Sequence, residues 1–318
     1  MLFTLNWRCR EPNTINCISV SGGKDSLAQW LLAIESGVDH IPAFADTRIR
    51  RVHADFSRQI EGKRKFIAEK WPTTLVSDCG FTDKQAAKII ATALDTLHPT
   101  GIPFLDLCMW KGRFPSTKRR FCTTELKHEP IRLQVVEPIT DAGFEVVSWQ
   151  GVRAEESAPR ALLSEWESGF DLGPRLSIYR PILHWKHADV FALAKRHAIK
   201  PNPLYEQGCS RVGCMPCIHA RKSELAEIFR RWPEEVERVA RRENLVAACS
   251  RRQNSTFFPS TNDPKKAERR IECISVESHG IHTYRDWALT TRGGQQFDLL
   301  GEAVDPMVCN SVYAGVCE

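Results

Sequence analysis

The sequence predicts an α/β protein built on a doubly wound, mostly parallel five-stranded sheet. Three observations lead there. Five short apolar-leaning segments alternate with helical patterns, as in parallel sheets joined by crossover helices. One of those segments runs directly into a glycine turn and an amphipathic helix, an order that suits phosphate binding. The chain has 318 residues, 42% hydrophobic and 26% charged, enough for a sizeable core and an appended region.

The first predicted strand, Asn16 to Val20, leads into Ser21-Gly22-Gly23-Lys24-Asp25-Ser26 and a helix beginning with Leu27-Ala28-Gln29-Trp30-Leu31-Leu32. Paired glycines allow a sharp turn that brings backbone N–H groups near an anion, and the helix N-terminus adds its partial positive charge. Lys24 supplies a full charge, and Ser21 and Ser26 supply hydroxyls. The six residues have neither the Walker spacing nor GxGxxG, so neither of those nucleotide readings applies.

A second strand from His40 to Ala45 delivers Asp46 and Thr47 at its carboxyl end, where parallel sheets place their ligands. Ala54 to Trp71 reads as a polar helix that Pro72 ends, and Thr73 to Ser77 as a third strand. Lys84 to Leu97 is helical in pattern. Phe104 to Phe121 shows no clear period and is expected to be a long loop carrying a basic cluster. Thr123 or Thr124 would cap a helix reaching about Val136, which sets Cys122 just before it, where a helix dipole favours thiolate. Phe144 to Trp149 is the fourth strand, followed by Gly151-Val152-Arg153-Ala154-Glu155-Glu156-Ser157-Ala158-Pro159-Arg160. A glycine and arginines there suit close approach to, and bidentate capture of, an anion. Ser177 to Leu183 is the fifth strand and His187 to His197 the closing helix.

Twelve cysteines without a secretory leader argue against a disulfide framework. Cys209, Cys214 and Cys217 stand in a C-x4-C-x2-C spacing within a Gly- and Pro-shaped loop, which points to an iron–sulfur cluster or zinc and calls for a fourth ligand. Cys9, Cys17, Cys79, Cys108, Cys249 and Cys273 lack any such pattern and read as core or incidental thiols. Beyond the cluster, two charged helices separated near Pro233 carry an apolar stripe expected to pack on the sheet. Residues 1–200 form the expected nucleotide domain and 201–318 the cysteine loop with a helical extension.

Four ordered pieces, SGGKDS, FADT, RFCTTELK and GVRAEES, followed by the cysteines, resemble the phosphoadenylyl sulfate (PAPS) reductase-like branch of the adenine nucleotide α-hydrolase superfamily. The resemblance covers about residues 16 to 222. It implies a Rossmann-like fold and a nucleotide site of Ser19, Ser21, Gly22, Gly23, Lys24, Asp25, Ser26, Asp46, Thr47, Gly151 and Arg153. Arg119, Arg120, Lys127 and Arg160 would meet the substrate's anionic groups. Cys122 would complete a four-cysteine set, for which the resemblance favours [4Fe-4S] over zinc. After FADT the run Arg48-Ile49-Arg50-Arg51 departs from the family pattern.

The expected function is that of a PP-loop enzyme cleaving ATP, with Mg2+, to an adenylate and pyrophosphate and using the cluster for sulfur transfer or acceptor activation. Lys24, Asp25 and Arg153 are its catalytic candidates. The alternative is a sulfonucleotide reductase that makes sulfite from PAPS or adenylyl sulfate, with penultimate Cys317 as nucleophile although the E-C-G-x-H setting of such enzymes is missing. A non-catalytic nucleotide- and cluster-binding module is the third reading. A sulfur donor or thiol reductant protein is the expected partner. The net charge of +5, concentrated at residues 48–65 and 111–127, is compatible with a nucleic-acid acceptor. No run of about 18 apolar residues and no signal-peptide order occur, so a cytoplasmic location without membrane contact is expected.

Overall fold

A computed structural model of the chain describes residues 7–43, 55–116, 119–168, 173, 175–206, 212–258 and 275–290. The described residues fall into two compact units. Those of Met1–His53 and Phe121–Cys214 form the first, and those of Ala54–Arg120 and Met215–Leu300 the second.

The first unit is the α/β sheet. Its strands are β1 (Thr14–Ser19), β2 (His40–Ala43), β3 (Glu145–Trp149), β4 (Trp166–Ser168) and β5 (Leu176–Tyr179), in the order β2-β1-β3-β5-β4. β2, β1, β3 and β5 run parallel, with Cys17 opposite both Ile41 and Ser148, and β4 pairs antiparallel with β5 at the edge. Both faces of a parallel sheet are buried, so β1 reads as a run with no alternation: Asn16, Cys17, Ile18 and Ser19 are all buried. The polar member is satisfied, since Asn16 accepts from Trp149 Nε1 at 2.8 Å and donates to the carbonyls of Cys9 and Asp39. Helix α1 (Lys24–Ser36) lays Ala28, Leu31 and Leu32 against Ile18, Trp149 and Tyr179, and α6 (His187–Arg196) adds Val190 and Leu193 to the same core.

The order of the strands fixes where a ligand can sit. From β1 the chain crosses to β2 on one side and later returns to β3 on the other, so the connections that follow β1 and β3 lead to opposite sides of the sheet. A crevice opens at such a switch point, beyond the carboxyl ends of the strands.

Four expectations are corrected. Thr73–Ser77 is not a strand: α2 runs from Ser57 to Ser77 through Pro72. Ile60, Ile67, Trp71 and Leu75 keep one buried helical stripe across the proline, and burying Trp71 and Leu75, each worth about 1.5–3 kcal/mol, offsets the ~3 kcal/mol a mid-helix proline costs. The strand that completes the five is instead the antiparallel β4, and the expected Ser177–Leu183 strand is β5. Pro103–Lys111 is helix α4, not loop; Leu105, Leu107, Cys108 and Met109 are all buried, and a helix enclosed on every side has no amphipathic period to read. Finally, Cys122 lies inside a helix rather than before one. The helical run α5 begins at Phe121–Thr123, continues through π-turns at Thr124–His128 and Arg132–Val136, and ends at Glu137–Asp141. Each π-turn immediately precedes a helical segment carrying Pro130 or Pro138 at its start, and the wider turn accommodates a residue with no N–H to give.

The second unit is helical. α2 packs on α3 (Asp83–Thr96) and α4, which meet α8 (Glu234–Ala248), and α7 (Lys222–Arg231) and α8 close on α9 (Ile281–Ala288). The apolar stripe of α7 and α8 is thus spent on helices of its own unit. Phe257 and Phe258 are buried there, against Phe104, Phe114 and Tyr284. Among the described residues no helix is long and apolar enough to cross a membrane.

Candidate active site

The loop between β1 and α1 is built by its own hydroxyls. Ser26 Oγ accepts from the Ser21 N–H at 3.1 Å and from Ser21 Oγ at 3.0 Å, and donates to the Gly23 carbonyl at 2.9 Å. Gly22 holds φ +79°, a left-handed conformation that costs an L-residue with a side chain about 1–2 kcal/mol. Gly23 is the N-cap of α1 and offers no side-chain cap. Among the described residues, no acceptor takes the N–H groups of Gly22, Gly23 or Asp25. Those donors, at the positive end of a 13-residue helix, are an anion seat in the physical sense.

Three buried charges stand behind it. Asp25 is 0% exposed, Lys24 9% and Arg153 3%. The Asp25 carboxylate takes Lys24 Nζ on Oδ2 at 3.0 Å and Arg153 Nε on Oδ1 at 2.5 Å. Arg153 also donates to Glu155, and Glu155 accepts the His187 N–H at 2.7 Å, tying the β3 loop to the start of α6. Burial pulls the guanidinium pKa down, but the charge and hydrogen bond of Asp25, then Glu156 and Glu155, outweigh it, and the pKa is raised. Arg160 pairs with Glu156. In this structure Arg153 and Arg160 therefore face protein carboxylates.

Gly151 lets the two loops meet. A Cβ there would stand 3.1 Å from the Asp25 backbone carbon and oxygen and 3.2 Å from the Ser26 nitrogen. Next to it Gln150, bonded through its N–H to the Tyr179 carbonyl at 2.9 Å, accepts from Arg180 Nε at 3.0 Å. Arg180 is buried and completed by Glu167 on the edge strand. A small cavity at the loop is lined by Gly22, Gly23, Lys24, Phe191, Pro201 and Asn202, among others.

The structure thus gathers Ser19, Ser21, Gly22, Gly23, Lys24, Asp25, Ser26, Gly151 and Arg153 at one end of the sheet. Asp46, Thr47, Cys209 and Cys317 lie outside the described residues. Lys127 is half-buried in α5; Arg119 is exposed and Arg120 half-buried in the other unit. Cys122 and Cys217 are half-buried and Cys214 is exposed, all as thiols. Four cysteine thiols are a donor set suited to iron–sulfur or zinc, yet among the described residues no three His, Cys, Asp or Glu side chains are gathered as for a metal. Of the remaining cysteines, Cys9, Cys17, Cys108 and Cys249 are buried, Cys79 is exposed, and Cys273 and Cys309 are outside the described residues. In the basic stretches, Lys63 donates to the Trp110 carbonyl and Arg64 to that of Leu97, at 2.8 Å each, so both are used within the helical unit.

One participant, Tyr205, and one pairing had no signal in the sequence. Tyr205 accepts the Lys24 N–H at 2.9 Å across 181 residues, and the Asp25–Arg153 pair spans 128. Neither residue's neighbours announce its partner.

Comparison with known proteins adds the family. Residues 107–220 match the phosphoadenosine phosphosulfate reductase domain. The chain is 64% identical to the "uncharacterized 37.8 kDa protein in gpa 5'region" of Escherichia phage 186, over 98% of this chain and 99% of that protein. It is 35% identical to adenosine 5'-phosphosulfate reductase of Burkholderia cepacia over 35% of this chain and 45% of that one, so the match spans less than half of the reductase. An uncharacterized protein of Methanocaldococcus jannaschii is 29% identical over 71% of this chain and 47% of its own length. With the ordered motifs on a doubly wound sheet and the glycine loop at its switch point, the chain belongs to the PAPS reductase-like family of the adenine nucleotide α-hydrolase superfamily.

Proposed function

We propose that the protein is an enzyme that seats the phosphates of an adenine nucleotide on the Ser21–Ser26 loop and uses that nucleotide in sulfur chemistry. The observation that carries the reading is the set of N–H groups at the start of α1 that no described acceptor takes, beside buried Lys24 and at the switch point of a parallel sheet.

ATP suits this loop best. An acceptor nucleophile attacks the α-phosphorus, the acceptor–AMP bond forms as the α–β bridging bond breaks, and pyrophosphate leaves with both bonding electrons. The charge it gains would be met by the loop N–H groups and Lys24, with Mg2+ accompanying the phosphates. Arg153, held by Asp25, positions the β3 loop against the seat. Cys122, Cys209, Cys214 and Cys217 would hold a [4Fe-4S] cluster, or zinc, whose contribution when bound would be to carry sulfur or activate the acceptor. A sulfur donor or a thiol reductant protein would complete the reaction.

The named relatives favour a second reading, reduction of a sulfonucleotide. A cysteine thiolate, Cys317 in this proposal, attacks the sulfur of adenylyl sulfate or PAPS. The sulfur–oxygen bond to phosphate breaks, the nucleotide leaves, and an S-sulfonate remains. A dithiol then supplies two electrons and releases sulfite as it becomes a disulfide.

One experiment separates the two: anaerobically purified protein is given ATP, or adenylyl sulfate or PAPS with a dithiol, and its products are identified together with its iron and sulfide content. Pyrophosphate and AMP from ATP support the first reading and sulfite the second. Turnover of neither nucleotide, with any acceptor offered, refutes both.

A further inference from the structure

The anion seat is not open. The Lys24 N–H, which belongs to the first residue of α1, donates to Tyr205 Oη at 2.9 Å. The Lys24 ammonium lies 5.5 Å from the centre of the same ring. A phenol oxygen thus takes an acceptor position at the N-terminus of the helix that carries the glycine loop. Tyr205 is held in place from the other side: Phe191 of α6 meets it edge-on at 5.8 Å and 89°, and His187 in turn packs on Phe191 at 4.8 Å. The His187 N–H is the group bound by Glu155, the partner of Arg153. Tyr205 sits in the short helical turn Pro203–Glu206, four residues before Cys209 in the chain.

We infer that Tyr205 is a positioning residue that stands in for a phosphate oxygen at the loop and gives up the Lys24 N–H when a nucleotide phosphate arrives. The inference rests on the nucleotide reading above. Its physical basis is competition: one N–H directed at one acceptor cannot serve the phenol and a phosphate equally well, and a charged oxygen makes the stronger hydrogen bond. Nucleotide binding therefore has to break the phenol contact, which lowers affinity, and the broken contact displaces the turn that leads into the cysteine segment.

Tyr205→Phe tests this, because it keeps the ring and its packing on Phe191 and Lys24 and removes only the competing oxygen. Calorimetric titration with ATP and with inorganic pyrophosphate should show the variant binding both more tightly, by about two- to tenfold, the range expected for one neutral hydrogen bond. Adenosine, which has no phosphate, should bind both proteins alike. A purely structural hydrogen bond would lower Tm and leave affinity unchanged. ATP binding that is unchanged or weaker in the variant overturns the inference and leaves the nucleotide reading standing, whereas ATP binding to neither protein overturns both. A measurement on the unaltered protein covers a variant that fails to fold: on adding ATP, hydrogen exchange in the peptide containing Pro203–Glu206 should speed up as the phenol contact is lost. Unchanged or slower exchange there would overturn the inference.

Discussion

Replacing Asp25 with alanine removes the only carboxylate that touches both Lys24 and Arg153 in the described structure, at a fully buried position. Asp25 is 0% exposed and Arg153 3%. Deleting one member of a buried ion pair strands the other, at a cost of about 3–5 kcal/mol; Arg153 keeps Glu155 and Glu156, so the lower half of that range is expected here. The pair should also be strongly coupled, since Arg153 Nε lies 2.5 Å from Asp25 Oδ1. Arg153→Met alone should cost a similar amount, because the buried Asp25 keeps only Lys24. The double variant Asp25→Ala/Arg153→Met should then cost at least 1 kcal/mol less than the sum of the two single variants. Urea unfolding followed by far-ultraviolet circular dichroism supplies all four free energies. A loss below about 1 kcal/mol for Asp25→Ala, or strict additivity of the two, would refute the idea that this carboxylate anchors the two loops.

Three more predictions follow from particular contacts. Gly151→Ala should cost about 1–3 kcal/mol and weaken ATP binding at least tenfold, because the new methyl would stand 3.1 Å from the Asp25 backbone, which cannot move aside like a flexible side chain; normal affinity in calorimetry would count against the close approach. Glu243 is buried in the helical unit, where it accepts from the Phe257 N–H at 2.7 Å and the Ile281 N–H at 2.9 Å, and burial pushes its pKa up from 4.5 to about 7 against those two hydrogen bonds. The folded state thus holds its proton longer than the unfolded chain, so unfolding free energy should fall by up to about 3 kcal/mol as pH rises from about 4.5 to 7, then level off; Glu243→Gln should flatten that slope in urea titrations at several pH values. Cys9, Cys17 and Cys249 are buried, with burial raising each thiol to about 12, whereas Cys79 and Cys214 are exposed. In metal-stripped native protein, iodoacetamide should therefore label Cys79 and Cys214 well before the other three, as peptide mass spectrometry would report.

Where a local rule dominates, the sequence was legible. The glycine loop, the helix behind it and the strand in front all lie where the residues placed them, because turn chemistry and a short apolar run act within a few positions. Pro72 misled, since a proline read locally ends a helix, while the buried stripe of Ile60, Ile67, Trp71 and Leu75 that carries α2 through it depends on partners elsewhere. Residues 103–111 misled for the opposite reason: enclosure on all sides erases the period by which helices are recognised. β4 is a three-residue edge strand whose identity lies in its pairing with β5 rather than in its composition.

By itself the sequence determined the α/β class, the phosphate-suited loop and the family, because each is encoded in contiguous residues whose backbone preferences and spacing act at short range. The tertiary structure decided the strand order that sets the loop at a switch point, the Asp25–Arg153 lock across 128 residues and the phenol of Tyr205 on the Lys24 N–H. These are contacts between distant segments, and their energies come from burial and charge pairing that exist only once the chain has closed on itself.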